Sequence, residues 1–159
     1  MHVSETSKIR HIMLPYCQGV TLDVGCGPDK IKPDALGVDL RPLPYVDIVA
    51  DISNLHEELL KQGYENVDTV FSSHCLEHLK DDQAALNSWI SILKKGGYLC
   101  LYLPDDRFYD NRSNPEHLSY YTYFDFMNMF HDTFPFMKVI KSGPHVGPDK
   151  YSFYLIAQK

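Results

Sequence analysis

The run Leu22-Asp23-Val24-Gly25-Cys26-Gly27 restricts the fold of this chain more tightly than any other stretch. Apolar and β-forming residues that end in two glycines around a small residue describe a strand running into a loop whose backbone closely approaches a ligand. Glycine at positions 25 and 27 removes the side chains that would hold a ligand off, and it leaves backbone N–H groups free at the strand's carboxyl end. Asp23, one residue inside that end, discriminates among ligands: its carboxylate repels a pyrophosphate and attracts a cationic group. The same letters also suit a tight turn between a buried strand and its successor, so the rest of the chain has to decide.

Two more acids recur in the same slot. A second strand over Ala35–Leu40 ends in Gly-Val-Asp-Leu, and a third over Val46–Ala50 runs into Asp51 and Ile52. Asp39 at the end of the second strand is placed to accept both hydrogen bonds of a ribose diol. Pro28–Pro33 is too short and too proline-bounded to hold the usual crossover helix. Leu55–Gln62 then reads as a helix closed by Gly63, Val67–Ser72 as a buried fourth strand, and Ala84–Leu93 as a helix stopped by Gly96-Gly97, with Lys94 and Lys95 complementing its C-terminus. Tyr98–Leu103 alternates as a fifth strand. Tyr123–Phe130 is an aromatic-rich helix with Thr122 as its N-cap. Phe136–Lys141 and Tyr151–Ala157 pair as a final hairpin around the Gly- and Pro-containing Ser142–Asp149. The expectation is an α/β architecture in one domain over residues 1–159. It has a mainly parallel seven-stranded sheet, one antiparallel strand and a shortened first crossover. Residues 1–18 hold a leading helix in which Ile9, Ile12 and Met13 share a face until Pro15. The long irregular stretch 104–122 follows a strand whose end faces the expected site, which suits a lid or binding loop.

Composition narrows the function classes. At 159 residues, 44% hydrophobic and 23% charged, the chain suits one soluble globular domain rather than a disordered segment. A formal charge of -6 argues against a broad cationic face for nucleic acid. No apolar run approaches the ~18 residues needed to cross a bilayer, and Met1-His2-Val3-Ser4-Glu5 lacks the order of a secretory signal, so a cytoplasmic protein is expected. Cys17, Cys26, Cys75 and Cys100 have no C-x-x-C spacing and read as reduced, mostly buried thiols.

Taken together, Leu22-Asp23-Val24-Gly25-Cys26-Gly27, Gly37-Val38-Asp39, Ala50-Asp51-Ile52, Ser73-His74-Cys75-Leu76-Glu77-His78 and Leu93-Lys94-Lys95-Gly96-Gly97 resemble, in order and spacing, class I S-adenosylmethionine-dependent methyltransferases. The small type 11 group matches best, over about Thr21–Pro104, with an echo at Asn114-Pro115-Glu116-His117 and Tyr121-Thr122. The resemblance implies a Rossmann-like three-layer fold with S-adenosylmethionine as cofactor. By it Gly25, Cys26 and Gly27 pack against the methionine and ribose part, with Asp23 nearby. Asp39 and Leu40 meet the ribose, and Asp51 and Ile52 meet the adenine. Ser72 and Ser73 contribute backbone contacts to the methionine moiety, and His78 joins the cofactor set. Asp29 stands where the pattern usually has a third glycine. The acceptor implied is a small molecule, a sugar or other metabolite methylated on oxygen or nitrogen, and residues 104–122 would be its lid.

Charge supports that resemblance independently, since a sulfonium with a positive amino group suits an acidic rim. Methyl transfer is a direct displacement in which alignment of donor and acceptor supplies much of the rate. The acceptor must also lose a proton, and His117, His74 and Asp105 are the candidate bases, ahead of His78. Three other readings compete. One is a non-catalytic S-adenosylmethionine-binding module that partners another chain. A nicotinamide oxidoreductase is the second, disfavoured by Asp23 and the missing third glycine. The third is a zinc hydrolase using His74-Cys75-Leu76-Glu77-His78 as H-x-x-E-H; it lacks a downstream helical Glu, and no metal site is expected.

Overall fold

Buried apolar runs place the middle of the sheet. The computed structural model describes residues 3–159. In chain order its elements are α1 (Glu5–Met13), β1 (Thr21–Val24), β2 (Leu36–Asp39), β3 (Ile48–Val49), α2 (Leu55–Lys61), β4 (Val67–Ser73), α3 (Asp82–Ile92), β5 (Leu93–Pro104), α4 (Tyr123–Thr133), β6 (Lys138–Gly147) and β7 (Lys150–Gln158). The seven strands form one sheet in the order β3-β2-β1-β4-β5-β7-β6. Only β7 runs against its neighbours, β5 and β6. Every residue of β1 is buried, as a strand covered on both faces requires.

The two faces are covered unequally. On one, Leu22, Val24, Val70, Leu99 and Leu101 pack under Leu86 and Trp89 of α3 and Phe126 and Phe130 of α4. On the other, Ile9 and Met13 of α1 cover Phe71, Cys100, Tyr102 and Ile156. Residues 25–35, between β1 and β2, contain no helix, so the expected shortening is complete. The leading helix stands in for the absent crossover. Ser4 caps it by accepting from the Ser7 N–H at 3.0 Å. Arg10 then ties it to the β1–β2 connection, donating to the carbonyls of Ile31 (3.1 Å) and Lys30 (3.0 Å) and to Asp29 (2.6 Å). Pro15 ends the α-helix as the spacing predicts, with a single 3₁₀ turn over Leu14–Tyr16.

Three sequence expectations need correction. The helix α3 ends at Ile92, and Gly96-Gly97 lie inside β5 rather than capping it. Gly96 has φ +84°, and a Cβ at Gly97 would sit 2.9 Å from the Asp68 carbonyl oxygen, so the glycines let a bulged strand approach β4. Lys94 does not serve the helix end either: it pairs with Asp68, while Lys159 donates to the carbonyls of Ile90 (2.9 Å) and Leu93 (2.8 Å). Third, the final hairpin is much longer than its apolar cores, with Gly147 paired to Lys150 across a two-residue turn. Pro144 is tolerated because β6 is an edge strand and its missing N–H breaks no inner ladder. All four cysteines are unpaired and buried, as expected. No described helix is long and apolar enough to cross a membrane.

Candidate functional site

The carboxyl ends of β1, β2 and β3 converge, but their three acids take different positions. Asp39 closes β2 and accepts from the Arg41 N–H at 2.9 Å and from its guanidinium at 3.2 Å. Asp51 follows β3 and starts a 3₁₀ turn over Ile52–Asn54 by accepting from the Ser53 N–H at 3.0 Å. Both line a cleft of about 720 Å³, a size suited to a small ligand, together with Leu40, Ile52 and His78. Asp23 is not on that rim. It is turned inward, accepts from the Ile31 N–H at 2.8 Å, and burial pushes its carboxyl up to about 7.

The glycine turn divides in the same manner. Gly25 sits at φ +68°, donates to the Val38 carbonyl at 2.8 Å, and has no room for a side chain: a Cβ would lie 2.3 Å from the Cys75 sulfur. Gly27 is exposed, and a Cβ there would meet nothing within 4 Å. Cys26 is buried, its sulfur 3.9 Å from the Tyr45 carbonyl oxygen. Ser72 turns its hydroxyl back to the Val24 carbonyl at 2.9 Å, which pins β4 to β1. The hydroxyl of Ser73 is buried without a partner.

Beyond β4 the chain does not continue as a helix. His74 takes φ +50°, and Leu76–His78 form a lone 3₁₀ turn. His74 Nε2 lies 2.9 Å from Ser152 Oγ, and burial pushes the ring down to about 3, so it stays neutral through the physiological range. His78 turns the other way and packs edge-on against His117, ring centres 4.7 Å apart. The two histidines of the H-x-x-E-H run therefore share no helical face, and that zinc motif is not built. His117 is buried, with Nδ1 2.8 Å from Asn111 Oδ1; burial and the neighbouring His78 hold its pKa below the usual range. Asp105 is fully enclosed, and Arg107 occupies both of its oxygens at 3.0 and 2.7 Å. The long loop is pinned down: Leu118 donates to the Glu77 carbonyl at 2.7 Å, and Tyr121 donates to Asp82.

A family model described as a methyltransferase domain matches residues 16–135. The chain belongs to the methyltransferase domain family. Its cofactor is S-adenosylmethionine. Solved structures agree in fold. An S-adenosylmethionine-dependent methyltransferase from Archaeoglobus fulgidus superposes with TM-score 0.67 at 16% identity, covering 97% of this chain and 92% of the other. The 1,6-didemethyltoxoflavin-N1-methyltransferase of Burkholderia thailandensis, with 1,6-didemethyltoxoflavin and S-adenosylhomocysteine bound, gives 0.69 at 16% identity over 97% and 76%. N-methyltransferase NodS from Bradyrhizobium japonicum WM9, in complex with S-adenosyl-L-homocysteine, gives 0.67 at 13% over 98% and 85%. No curated protein sequence matches.

The residues of this methyltransferase fit such a cofactor at its nucleoside end. Two acids on adjacent strand ends open into one cleft. The remaining wall was not legible in the sequence. It comes from Ser53, from Leu79 and Lys80, from the N-terminus of α3 at Asp81–Gln83, and from Leu118 on the long loop. Asp81 carries a readable signal, since it caps α3 by accepting from the Ala84 N–H at 3.0 Å. Glu5 is the other residue missed. It lines a second cleft of about 520 Å³ with Lys8 and Tyr151, one carboxylate oxygen receiving Lys8 and Tyr151 while the other is buried without a hydrogen-bond partner.

Proposed function

We propose that this methyltransferase moves the methyl group of S-adenosylmethionine to an oxygen or nitrogen of a small-molecule acceptor, a sugar or comparable metabolite. The observation that carries the reading is the shared cleft of Asp39 and Asp51, with Leu40 and Ile52 between them. Asp39 would accept from the ribose hydroxyls and Asp51 from the adenine amino group, with Ile52 against the ring. Gly27 would let the methionine portion lie on the backbone. The donor supplies an electrophilic methyl on a sulfonium. As the acceptor's lone pair takes it, the S–C electrons return to sulfur, charge there is lost, and the acceptor's proton leaves.

Small-molecule acceptors fit the chain's acidity, and they fit the related folds that methylate 1,6-didemethyltoxoflavin or, as NodS, are N-methyltransferases. Among the candidate bases, Asp105 is held by Arg107, and desolvation that pushes the His74 ring down to about 3 leaves it a weak base, which favours a proton acceptor elsewhere. Glu5 is the remaining candidate: it lines the second cleft with Lys8 and Tyr151, on which Tyr109 of the long loop stacks at 4.7 Å, and its Oε2, 3.5 Å from His74 Nε2, accepts no hydrogen bond. In this reading residues 104–122 close over the acceptor. The test is calorimetric titration with S-adenosylmethionine and S-adenosylhomocysteine, followed by a screen of sugar, amine and phenol acceptors. Micromolar binding and methylated product in at least one class are expected. Binding with no turnover across all three would instead make the chain a cofactor-binding module for a partner.

A further inference from the structure

We propose that Glu77, His78 and His117 form a binding site for a first-row divalent transition metal, with the Glu77 carboxylate and the Nε2 atoms of both histidines as ligands. One ligating atom from each lies within 4.8 Å of the others. Glu77 Oε1 and His78 Nε2 are already 3.7 Å apart. Tetrahedral zinc, with ligands at about 2.0–2.1 Å, sets donor atoms about 3.4 Å from one another, so closure asks for about an ångström of side-chain movement. His78 is half-buried on a short turn and has that freedom.

Two independent features mark this as a ligand site rather than a chance grouping. Glu77 is 0% exposed, yet neither of its carboxylate oxygens has a hydrogen-bond partner among the described residues. A buried carboxylate left so is a strong demand for a cation or proton. The outer contacts of the two rings are also those of metal-ligating histidines. His78 Nδ1 lies 3.0 Å from the Glu116 carbonyl oxygen and His117 Nδ1 lies 2.8 Å from Asn111 Oδ1. Both oxygens only accept, so both rings carry their proton on Nδ1 and turn a lone pair on Nε2 inward. Asn111 is itself oriented, since its amide nitrogen donates to Asp106 at 3.2 Å. Two imidazoles and one carboxylate select zinc, iron, cobalt or nickel over magnesium or calcium, and three protein ligands leave open positions. The trio is not the H-x-x-E-H set, because His117 replaces His74. His78 also lines the cleft assigned to the cofactor, so the ion would lie at its margin.

The experiment titrates chelator-stripped protein with Co²⁺, followed by visible absorption, and with Zn²⁺ in competition, without cofactor or acceptor. One equivalent should bind, with absorption of a low-symmetry N/O site. Glu77→Gln and His78→Asn should each weaken it by more than tenfold, and Asn111→Ala, which frees the His117 ring, by about ten- to a hundredfold. His74→Asn should bind as the parent does, and circular dichroism would confirm that each variant is folded. Absence of stoichiometric binding, or binding undiminished in folded Glu77→Gln and His78→Asn, overturns the proposal. So does loss in His74→Asn with retention in His78→Asn. Cofactor affinity measured separately on the stripped protein keeps this result apart from the methyl-transfer reading.

Discussion

Replacing each of the two loop glycines by alanine separates packing from ligand contact. At Gly25 the added methyl meets two penalties. The φ of +68° disfavours any L side chain by roughly 1–2 kcal/mol. The new Cβ would also lie 2.3 Å from the Cys75 sulfur and 2.8 Å from its Cβ, and relieving such overpacking costs roughly 1–3 kcal/mol. Gly25→Ala should therefore lose about 2–5 kcal/mol, a large share of the roughly 5–15 kcal/mol that holds a typical domain together. In urea the midpoint should fall by about 1–2 M. Adding Cys75→Ala removes the sulfur but not the Cβ, so the double variant should recover only part of the loss. At Gly27 a Cβ meets nothing, and Gly27→Ala should change stability by no more than about 0.5 kcal/mol. If the cofactor lies on that backbone, the same methyl should weaken S-adenosylhomocysteine by roughly ten- to a hundredfold in calorimetry. A Gly27→Ala protein that binds the product as the parent does would refute the cradle, and a fully stable Gly25→Ala would refute the packing argument.

Three further outcomes follow from the site. Asp39→Ala should lower the urea midpoint modestly, because it removes the bond accepted from the Arg41 N–H while the ion pair with the exposed Arg41 side chain contributes little; it should weaken S-adenosylmethionine at least tenfold, the expected loss for charge-assisted bonds of about 1.5–3 kcal/mol each. Asp23 binds its proton more tightly folded than unfolded, with a folded pKa of about 7 against 3.8, so its contribution is fullest below about pH 4 and is lost as pH rises through about 7. Denaturation from pH 4 to pH 8 should show Asp23→Asn gaining on the parent by up to about 4 kcal/mol, and a constant difference would refute the assignment. Trp89, the single tryptophan, is buried and donates to the Ile52 carbonyl at 2.7 Å directly behind the cleft, so its fluorescence should change on cofactor binding with the calorimetric affinity.

Most of the sheet was legible because β1 is a continuous buried run, because β4 is buried over Thr69–Ser72, and because each acid-ended strand is a local pattern. The edges of elements were less so. Lys-Lys-Gly-Gly at 94–97 carries the letters of a helix stop, and nothing in them announces that Gly97 must clear the Asp68 carbonyl on the neighbouring strand. Gly143, Pro144 and Gly147 look like loop residues, and only their place on the outermost strand makes them compatible with pairing. At the site, Asp39 and Asp51 could be placed from sequence since strand ends fix them. The fate of Asp23 depended on Ile31, and that of Asp105 on Arg107, both settled by connections whose path no periodicity reveals. The meeting of Glu77, His78 and His117 likewise needed the long loop to fold back, which it does through Leu118 and Tyr121.

The absence of a helix between β1 and β2 gives α1 a task out of proportion to its nine residues. Elsewhere in the sheet a covering layer is threaded between two strands and cannot leave without both. Here one face is sealed by a segment that precedes β1 and is latched by Ser4 and Arg10 onto residues 29–31. The same segment carries Glu5 into the second cleft, so whatever loosens that latch uncovers Phe71 and Tyr102 and removes a wall of the proposed acceptor chamber in a single motion.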